Sequence, residues 1–138
     1  MKYAGDINSS DAFEILKNEL NSFLIDVRTL PEWQFSGVPD LSSVRKDILT
    51  ISWKNYPKMD MNSNFAGQVE GIISDKVAKL FFICKTGGRS LDAAIKMTEL
   101  GYRNCYNIAS GFEGDLNDNN QRGKINGWKA SGLPWEQT

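Results

Sequence analysis

The fold is decided by the stretch Ala78-Lys79-Leu80-Phe81-Phe82-Ile83-Cys84-Lys85-Thr86-Gly87-Gly88-Arg89-Ser90. Its first six residues form a mainly apolar run with the length of a buried parallel strand. The residues after the glycine pair predict a helix from Ser90 to Leu100, and Gly101 stands where a helix commonly stops. The inward face of this helix is expected to consist of Leu91, Ala94, Ile95, Thr98 and Leu100. The stretch therefore predicts a strand, a tight loop and a helix in direct succession.

Strands and helices alternate on either side of this unit. The pattern predicts further strands at Phe23–Val27, Asp47–Trp53 and Arg103–Ile108, and helices at Ser9–Leu20, Pro31–Phe35 and Phe65–Ser74. Ser9 or Ser10 is expected to cap the first helix, and Ile72 to face the core. The polar stretch Asn55–Asn64 predicts a surface loop, and the tail with Trp128 and Trp135 is expected to dock on the core. The alternation predicts an α/β sandwich with a mostly parallel sheet.

Length and charge limit the classes of function. A chain of 138 residues predicts a single domain spanning residues 1–138. Sixteen basic and seventeen acidic residues leave a net charge of −1, which gives no electrostatic basis for binding nucleic acid. No apolar run approaches the roughly 18 residues of a membrane span, and the segment Met1–Asp6 lacks the apolar region of a signal peptide. We therefore expect a cytoplasmic protein without a membrane partner.

Two cysteines and the absence of histidine exclude whole reaction classes. There can be no Ser-His or Cys-His nucleophile pair, no His-ligated zinc and no imidazole proton shuttle. A disulfide between Cys84 and Cys105 is not expected in a cytoplasmic chain. We expect no metal and no cofactor, so chemistry must rely on cysteine, carboxylates, basic side chains and backbone amides. Cys105 is expected to be a buried spectator.

The loop after Cys84 combines several features that favour a thiolate over a thiol. The glycine pair allows a tight turn whose N–H groups can point into one concavity, and the helix that follows begins near Gly88 or Arg89. The helix dipole, Lys85 and Arg89 add positive potential, which also attracts a small dianion. The alternative is that Cys84 is a small buried apolar residue at the end of a strand. The succession of strand, cysteine, two glycines, arginine, serine and helix favours the functional interpretation.

Several motifs together carry a family resemblance. The loop Cys84–Ser90 resembles the Cys-x-x-Gly-x-Arg-Ser active loop of rhodanese domains. Leu24-Ile25-Asp26-Val27-Arg28 resembles that family's first-strand signature, and Glu32-Trp33 through Gly37-Val38-Pro39 resembles a second segment. The tail is similar to the ending of single-domain members in Gly111–Asp115 and Gly127–Trp135. One departure is Val38, where the family usually has histidine.

The resemblance implies a three-layer rhodanese-like fold, with a mostly parallel five-stranded sheet flanked by helices. It implies a thiosulfate sulfurtransferase that moves a sulfane sulfur, through a persulfide on Cys84, to a thiophilic acceptor such as cyanide or a thiol. By the same resemblance, the transferred sulfur is cradled by the amides of Lys85, Thr86, Gly87, Gly88, Arg89 and Ser90. Lys85 and Arg89 would hold the sulfonate end, and Ser90 would cap the helix. The partners implied are a small-molecule sulfur donor and acceptor.

Other interpretations stay open at this point. A rhodanese module that is non-catalytic, or that carries persulfide sulfur to a partner, fits the same motifs. A Cys-x5-Arg phosphatase is disfavoured because Arg89 stands only five places after Cys84. Asp26 and Arg28 form either a supporting network beneath the loop or a strand-end ion pair of little value. The polar stretch Glu113–Asn126 is either solvated loop or a cover over the pocket.

Overall fold

The computed structural model describes residues 2–137 and contains short strands that alternate with four α-helices. The strands are β1 (Gly5–Ile7), β2 (Ser22–Asp26), β3 (Val38–Pro39), β4 (Leu49–Thr50), β5 (Lys54–Asn55), β6 (Asp60–Met61), β7 (Lys79–Ile83), β8 (Asn104–Ile108) and β9 (Trp135–Glu136). The helices are α1 (Ser9–Asn18), α2 (Leu30–Ser36), α3 (Phe65–Ile72) and α4 (Gly88–Glu99), with a 3₁₀ turn at Ser42–Val44.

Five of these strands form the central sheet, in the order β1-β8-β7-β2-β4. Each neighbouring pair is parallel. Parallel neighbouring strands cannot be joined by a tight turn, so the chain crosses over the sheet through helices or long connections. The helices therefore cover the sheet. The predicted α/β class with a five-stranded sheet is thus confirmed, and this sheet is parallel throughout.

The two faces of the sheet bury separate apolar clusters. Alternate residues of one strand point to opposite faces, so Leu80 and Phe82 join one cluster while Phe81 and Ile83 join the other. The first cluster includes side chains of α3 and α4, and the second includes Ala12 and Leu16 of α1. Helices on both faces make the three layers that the resemblance implies.

Three details of the predicted elements were wrong, two in helices and one in a strand. The α1 cap is Asn8, whose Oδ1 accepts a hydrogen bond from the Asp11 backbone N–H at 2.8 Å. Ile72 is 54% exposed because α3 ends there and Ile73 turns into the core instead. The predicted strand at Asp47–Trp53 pairs in the sheet only over Leu49–Thr50, because it is an edge strand that β2 contacts on one side.

The tail folds back against one face of the sheet, where it joins the apolar cluster that includes α1. Trp128 is fully buried and its Nε1 donates to the Pro134 carbonyl at 2.7 Å. Strand β9 then pairs antiparallel with β3, and Trp135 is 41% exposed. The predicted docking of the tail is confirmed for Trp128 and is partial for Trp135. Between residues 2 and 137, none of the helices is both long and apolar enough to cross a bilayer.

Candidate active site

Cys84 lies at the carboxyl edge of the sheet, directly after β7. The strand is central, with β2 on one side and β8 on the other. Helix α4 begins at Gly88, as expected, so the loop between strand and helix spans residues 84–87. In parallel α/β sheets, ligands bind beyond this edge. The fold therefore brings the cysteine to the position where such proteins do their chemistry.

The sulfur of Cys84 receives hydrogen bonds from the loop itself. The Gly87 N–H points at Sγ from 3.1 Å and the Ser90 N–H from 3.4 Å. The Ser90 hydroxyl oxygen lies 3.2 Å from the same sulfur. Cys84 is only 1% exposed. Hydrogen bonds donated to a sulfur stabilise its charged form. At a buried site they take the place of the water that is absent.

The tight turn depends on one glycine. Gly87 has φ +104°, and a Cβ added there would lie 2.1 Å from the Ala109 carbonyl oxygen. No heavy atom lies within 4 Å of the position of a Cβ at Gly88, and that residue has ordinary helical backbone. The Ala109 contact means that the chain after β8 packs directly against the loop. Only Gly87 of the pair is thus required for the shape of the loop.

The segment that follows β8 also braces the loop through its backbone. The Phe112 N–H donates to the Cys84 carbonyl at 2.8 Å, and the Glu113 N–H donates to the Lys85 carbonyl at 3.0 Å. Gly111 passes so close that a Cβ there would lie 2.5 Å from the Lys85 carbonyl oxygen. These bonds hold the loop through its carbonyl groups, so its N–H groups remain available to the sulfur.

The cations of the loop are placed differently from each other. Lys85 and Thr86 are exposed. The Arg89 guanidinium is held by Glu32 of α2 through two bonds, NH1 to Oε1 at 2.7 Å and NH2 to Oε2 at 2.8 Å. The Glu32 bonds and charge raise the pKa of Arg89. Burial opposes ionisation of Glu32, but the hydrogen bonds and charge of Arg89, together with hydrogen bonds from Thr29, lower the pKa of the carboxyl. Both groups are therefore charged and paired.

Asp26 and Arg28 form a second ion pair, and both are fully buried. Arg28 NH2 lies 2.7 Å from Asp26 Oδ2 and donates at 2.7 Å to the Gly37 carbonyl. The guanidinium also stacks over the Phe112 ring at 4.3 Å. Asp26 is in register with Ile83, the residue before Cys84. The pair therefore ties the end of β2 to Gly37, and the Phe112 ring under Arg28 belongs to the residue whose backbone N–H bonds the Cys84 carbonyl.

Sequence reasoning missed Asn107 and misassigned Ser90. Ser90 lies within the first turn of α4, where Gly87 occupies the cap position, and its hydroxyl donates to Asn107 Oδ1 at 2.6 Å. Asn107 is buried at the end of β8, in register with Phe82. The available signal was that Asn107 lies two positions after Cys105, on the same face of the predicted strand, and buried polar groups need partners.

Cys105 lies away from this loop, in the apolar cluster beneath α4. Burial raises the pKa of its thiol to about 11. Both cysteines are free thiols. In the described part of the chain, no three His, Cys, Asp or Glu side chains are grouped so as to hold a metal ion.

Comparisons with known proteins agree with this architecture. The solution structure of a polysulfide-sulfur transferase homodimer from Wolinella succinogenes has a TM-score of 0.69 and 21% identity, over 99% of this chain and 80% of that one. At that identity the likeness concerns the fold alone, and it defines this chain as an α/β protein of rhodanese-like fold. The crystal structure of Rv0390 from M. tuberculosis has a TM-score of 0.89 and 39% identity, over 99% of both chains.

The sequence comparison defines the family. The family described as the STR4 middle domain matches residues 5–138. An uncharacterized protein of Rickettsia rickettsii is 42% identical over 132 residues, which cover 95% of this chain and 96% of the relative. The chain belongs to the STR4 middle domain family.

Proposed function

We propose that this chain is a sulfurtransferase whose nucleophile is Cys84. It would take a sulfane sulfur from thiosulfate or a related donor and pass it to cyanide or a thiol. The observation that carries the proposal is the pair of backbone N–H groups, from Gly87 and Ser90, that point at the Cys84 sulfur. Such a cradle stabilises negative charge on the sulfur and on a second sulfur bonded to it.

The proposed reaction has two steps. The Cys84 thiolate attacks the outer sulfur of thiosulfate, forming a new S–S bond while the old one breaks and sulfite leaves with its electron pair. The acceptor then attacks the outer sulfur of the persulfide. With cyanide the product is thiocyanate, and the Cys84 thiolate is regenerated. No oxidant, metal or external base enters this cycle, which suits a chain without histidine.

The decisive experiment is to follow sulfur on the intact protein by mass spectrometry. Thiosulfate should add the mass of one sulfur atom, and cyanide should remove it while thiocyanate appears. Cys84→Ser should lose both steps, whereas the matched variant Cys105→Ser should keep them. A persulfide that persists in Cys84→Ser would contradict the mechanism.

The carrier role is the second candidate, and one observation favours it. Glu32 occupies both terminal nitrogens of Arg89, so this cation is already neutralised where a dianion such as thiosulfate would need it. A persulfide donor has no sulfonate group bonded to the transferred sulfur and so makes less demand on Arg89. Faster loading of Cys84 from a protein or glutathione persulfide than from thiosulfate would favour the carrier role.

The phosphatase alternative is tested in the same preparation. The Cys-x5-Arg loop of such phosphatases has one residue more than this loop, because Arg89 stands only five places after Cys84. Hydrolysis of an aryl phosphate at a rate that rivals sulfur transfer would contradict the proposed function.

A further inference from the structure

A buried chain of hydrogen bonds leads away from the Cys84 sulfur. Ser90 Oγ lies 3.2 Å from Sγ and 2.6 Å from Asn107 Oδ1. The Asn107 amide nitrogen lies 3.2 Å from Asp6 Oδ1 and 3.2 Å from the Gly87 carbonyl oxygen. The chain thus joins α4, β8 and β1 to the loop. Ser90 is fully buried and Asn107 is 3% exposed, so water does not compete for these bonds.

The direction of each hydrogen bond follows from the chemistry of the groups. The carbonyl of Gly87 and the carboxylate of Asp6 can only accept, so the side of the Asn107 amide that faces them must be the NH₂. Its oxygen therefore faces Ser90 and must receive the single hydroxyl proton of that serine. The serine oxygen then has only lone pairs left for Cys84.

This direction decides which form of the cysteine the serine stabilises. A serine oxygen without a free proton accepts a hydrogen bond from a thiol S–H but repels a thiolate. The loop amides act in the opposite sense, because they donate to the sulfur. If Ser90 turned to donate to a thiolate, Asn107 Oδ1 would lose its donor inside the protein, which costs free energy.

We propose that Asn107 is a positioning residue: it holds the Ser90 hydroxyl as an acceptor toward Cys84 and so favours the thiol over the thiolate in the resting site. This rests on the proposed role of Cys84 as nucleophile. The restraint applies to the free cysteine, because a persulfide has no proton on Sγ to donate. Asn107 thereby opposes the effect of the Gly87 and Ser90 N–H groups, which favour the thiolate.

Other charged groups also act on Cys84. Arg89 and Lys85 belong to its own loop and the following helix, and Arg89 is paired with Glu32 of α2. The other elements contribute five charged side chains. These are Asp26 at the end of β2, Arg28 two residues later, Asp6 on β1, and Glu113 and Lys129 in the tail. Variants of Ser90 and Asn107 leave all of these charges in place.

The test measures the rate of Cys84 alkylation against pH in four proteins: wild type, Ser90→Ala, Asn107→Leu and the double variant. Peptide mapping separates Cys84 from Cys105. Each single variant removes the contact that favours the thiol, so we expect the midpoint to move to lower pH by about one pH unit, or about tenfold in the ratio of thiolate to thiol. Thr98→Ala is the control, because it removes a hydroxyl from the same helix while leaving the bond between Ser90 and Asn107 and every charge around Cys84 in place, and we expect no comparable shift.

The double variant separates positioning from simple support of the loop. If Asn107 acts through Ser90, replacing it should have no further effect once Ser90 is alanine. An equal shift in both backgrounds would overturn the proposal, since Asn107 would then act through the Gly87 carbonyl. A midpoint that moves to higher pH in Ser90→Ala would overturn it even if Asn107→Leu does not fold. No sulfur donor is used, so failure of the proposed function is a separate result: wild-type protein that forms no persulfide.

Discussion

The two cysteines have nearly the same burial and very different surroundings. Cys84 is 1% exposed and Cys105 is 0% exposed, and both belong to the apolar cluster on one face of the sheet. Two backbone N–H groups and a serine hydroxyl contact the sulfur of Cys84. Burial raises the pKa of the Cys105 thiol, opposed only by a hydrogen bond with Thr98. Burial alone therefore does not decide what a thiol does.

The difference comes from where each cysteine stands on its strand. Cys105 is inside β8, where both backbone groups belong to the ladder and the side chain packs beneath α4. Cys84 is one residue past β7, where the loop turns its N–H groups inward. The position at the end of a strand, followed by a helix, supplies the donors that a mid-strand position lacks.

Breaking the buried pair of Asp26 and Arg28 should have the largest effect on stability. Arg28→Met leaves Asp26 buried without its partner and Gly37 without a donor. We expect the free energy of unfolding to fall by about 3–5 kcal/mol in guanidinium titrations. Replacing both partners, with Asp26→Leu added, should recover much of that loss. A single variant as stable as the wild type would contradict the prediction that an unpaired buried Asp26 destabilises the fold.

The second prediction deforms the cradle and leaves both thiols intact. Gly87→Ala forces a Cβ against the Ala109 carbonyl at a positive φ, so we expect a loss of about 2–4 kcal/mol and of persulfide formation. Gly88→Ala is the matched control, because its Cβ meets open space at an ordinary helical position. It should change stability by less than about 1 kcal/mol and keep the reaction. Equal effects at both positions would contradict the claim that the shape of the loop depends on Gly87 and not on Gly88.

The third prediction concerns Cys105 and high pH. The folded protein keeps this proton up to about pH 11, whereas an unperturbed thiol loses it near 9.0. Between those values the unfolded chain binds fewer protons, so stability falls as pH rises. We expect this cysteine to account for a loss of about 2 kcal/mol between about pH 8 and about pH 11. The measurement is the fall in the free energy of unfolding over this pH range, compared between wild type and Cys105→Ala. Equal falls in the two proteins would contradict a raised pKa for the buried thiol.

Local patterns in the sequence predicted most of the sheet but not its edges. Strands β2 and β7 carry apolar runs, β8 carries Cys105, Tyr106 and Ile108, and all three were predicted within one or two residues. Strand β1 was missed because Gly5-Asp6-Ile7 has little β propensity and takes its hydrogen bonds from β8 on one side. The β5–β6 hairpin lies in the stretch predicted as a surface loop, since its two-residue strands leave no periodic signal.

The candidate site shows the same limit at the level of side chains. The loop from Cys84 to Ser90 was visible because its residues are consecutive. The partners of Arg89 and Ser90 were not, because Glu32 is 57 residues and Asn107 is 17 residues away along the chain. Strand order and register decide which polar groups meet across strands. Neither can be read from a short stretch of one sequence.

The strand order has a consequence for the order of folding. In the pair β7–β8, Lys79 meets Asn104, a separation of 25 residues (104 − 79), with α4 packed between. In the pair β1–β8, Gly5 meets Tyr106, a separation of 101 residues (106 − 5). Long closures carry a larger entropy cost, so we expect the unit that holds Cys84, Ser90 and Asn107 to assemble early and β1 to arrive late. Asp6 would then reach Asn107 only after the cysteine loop has taken shape.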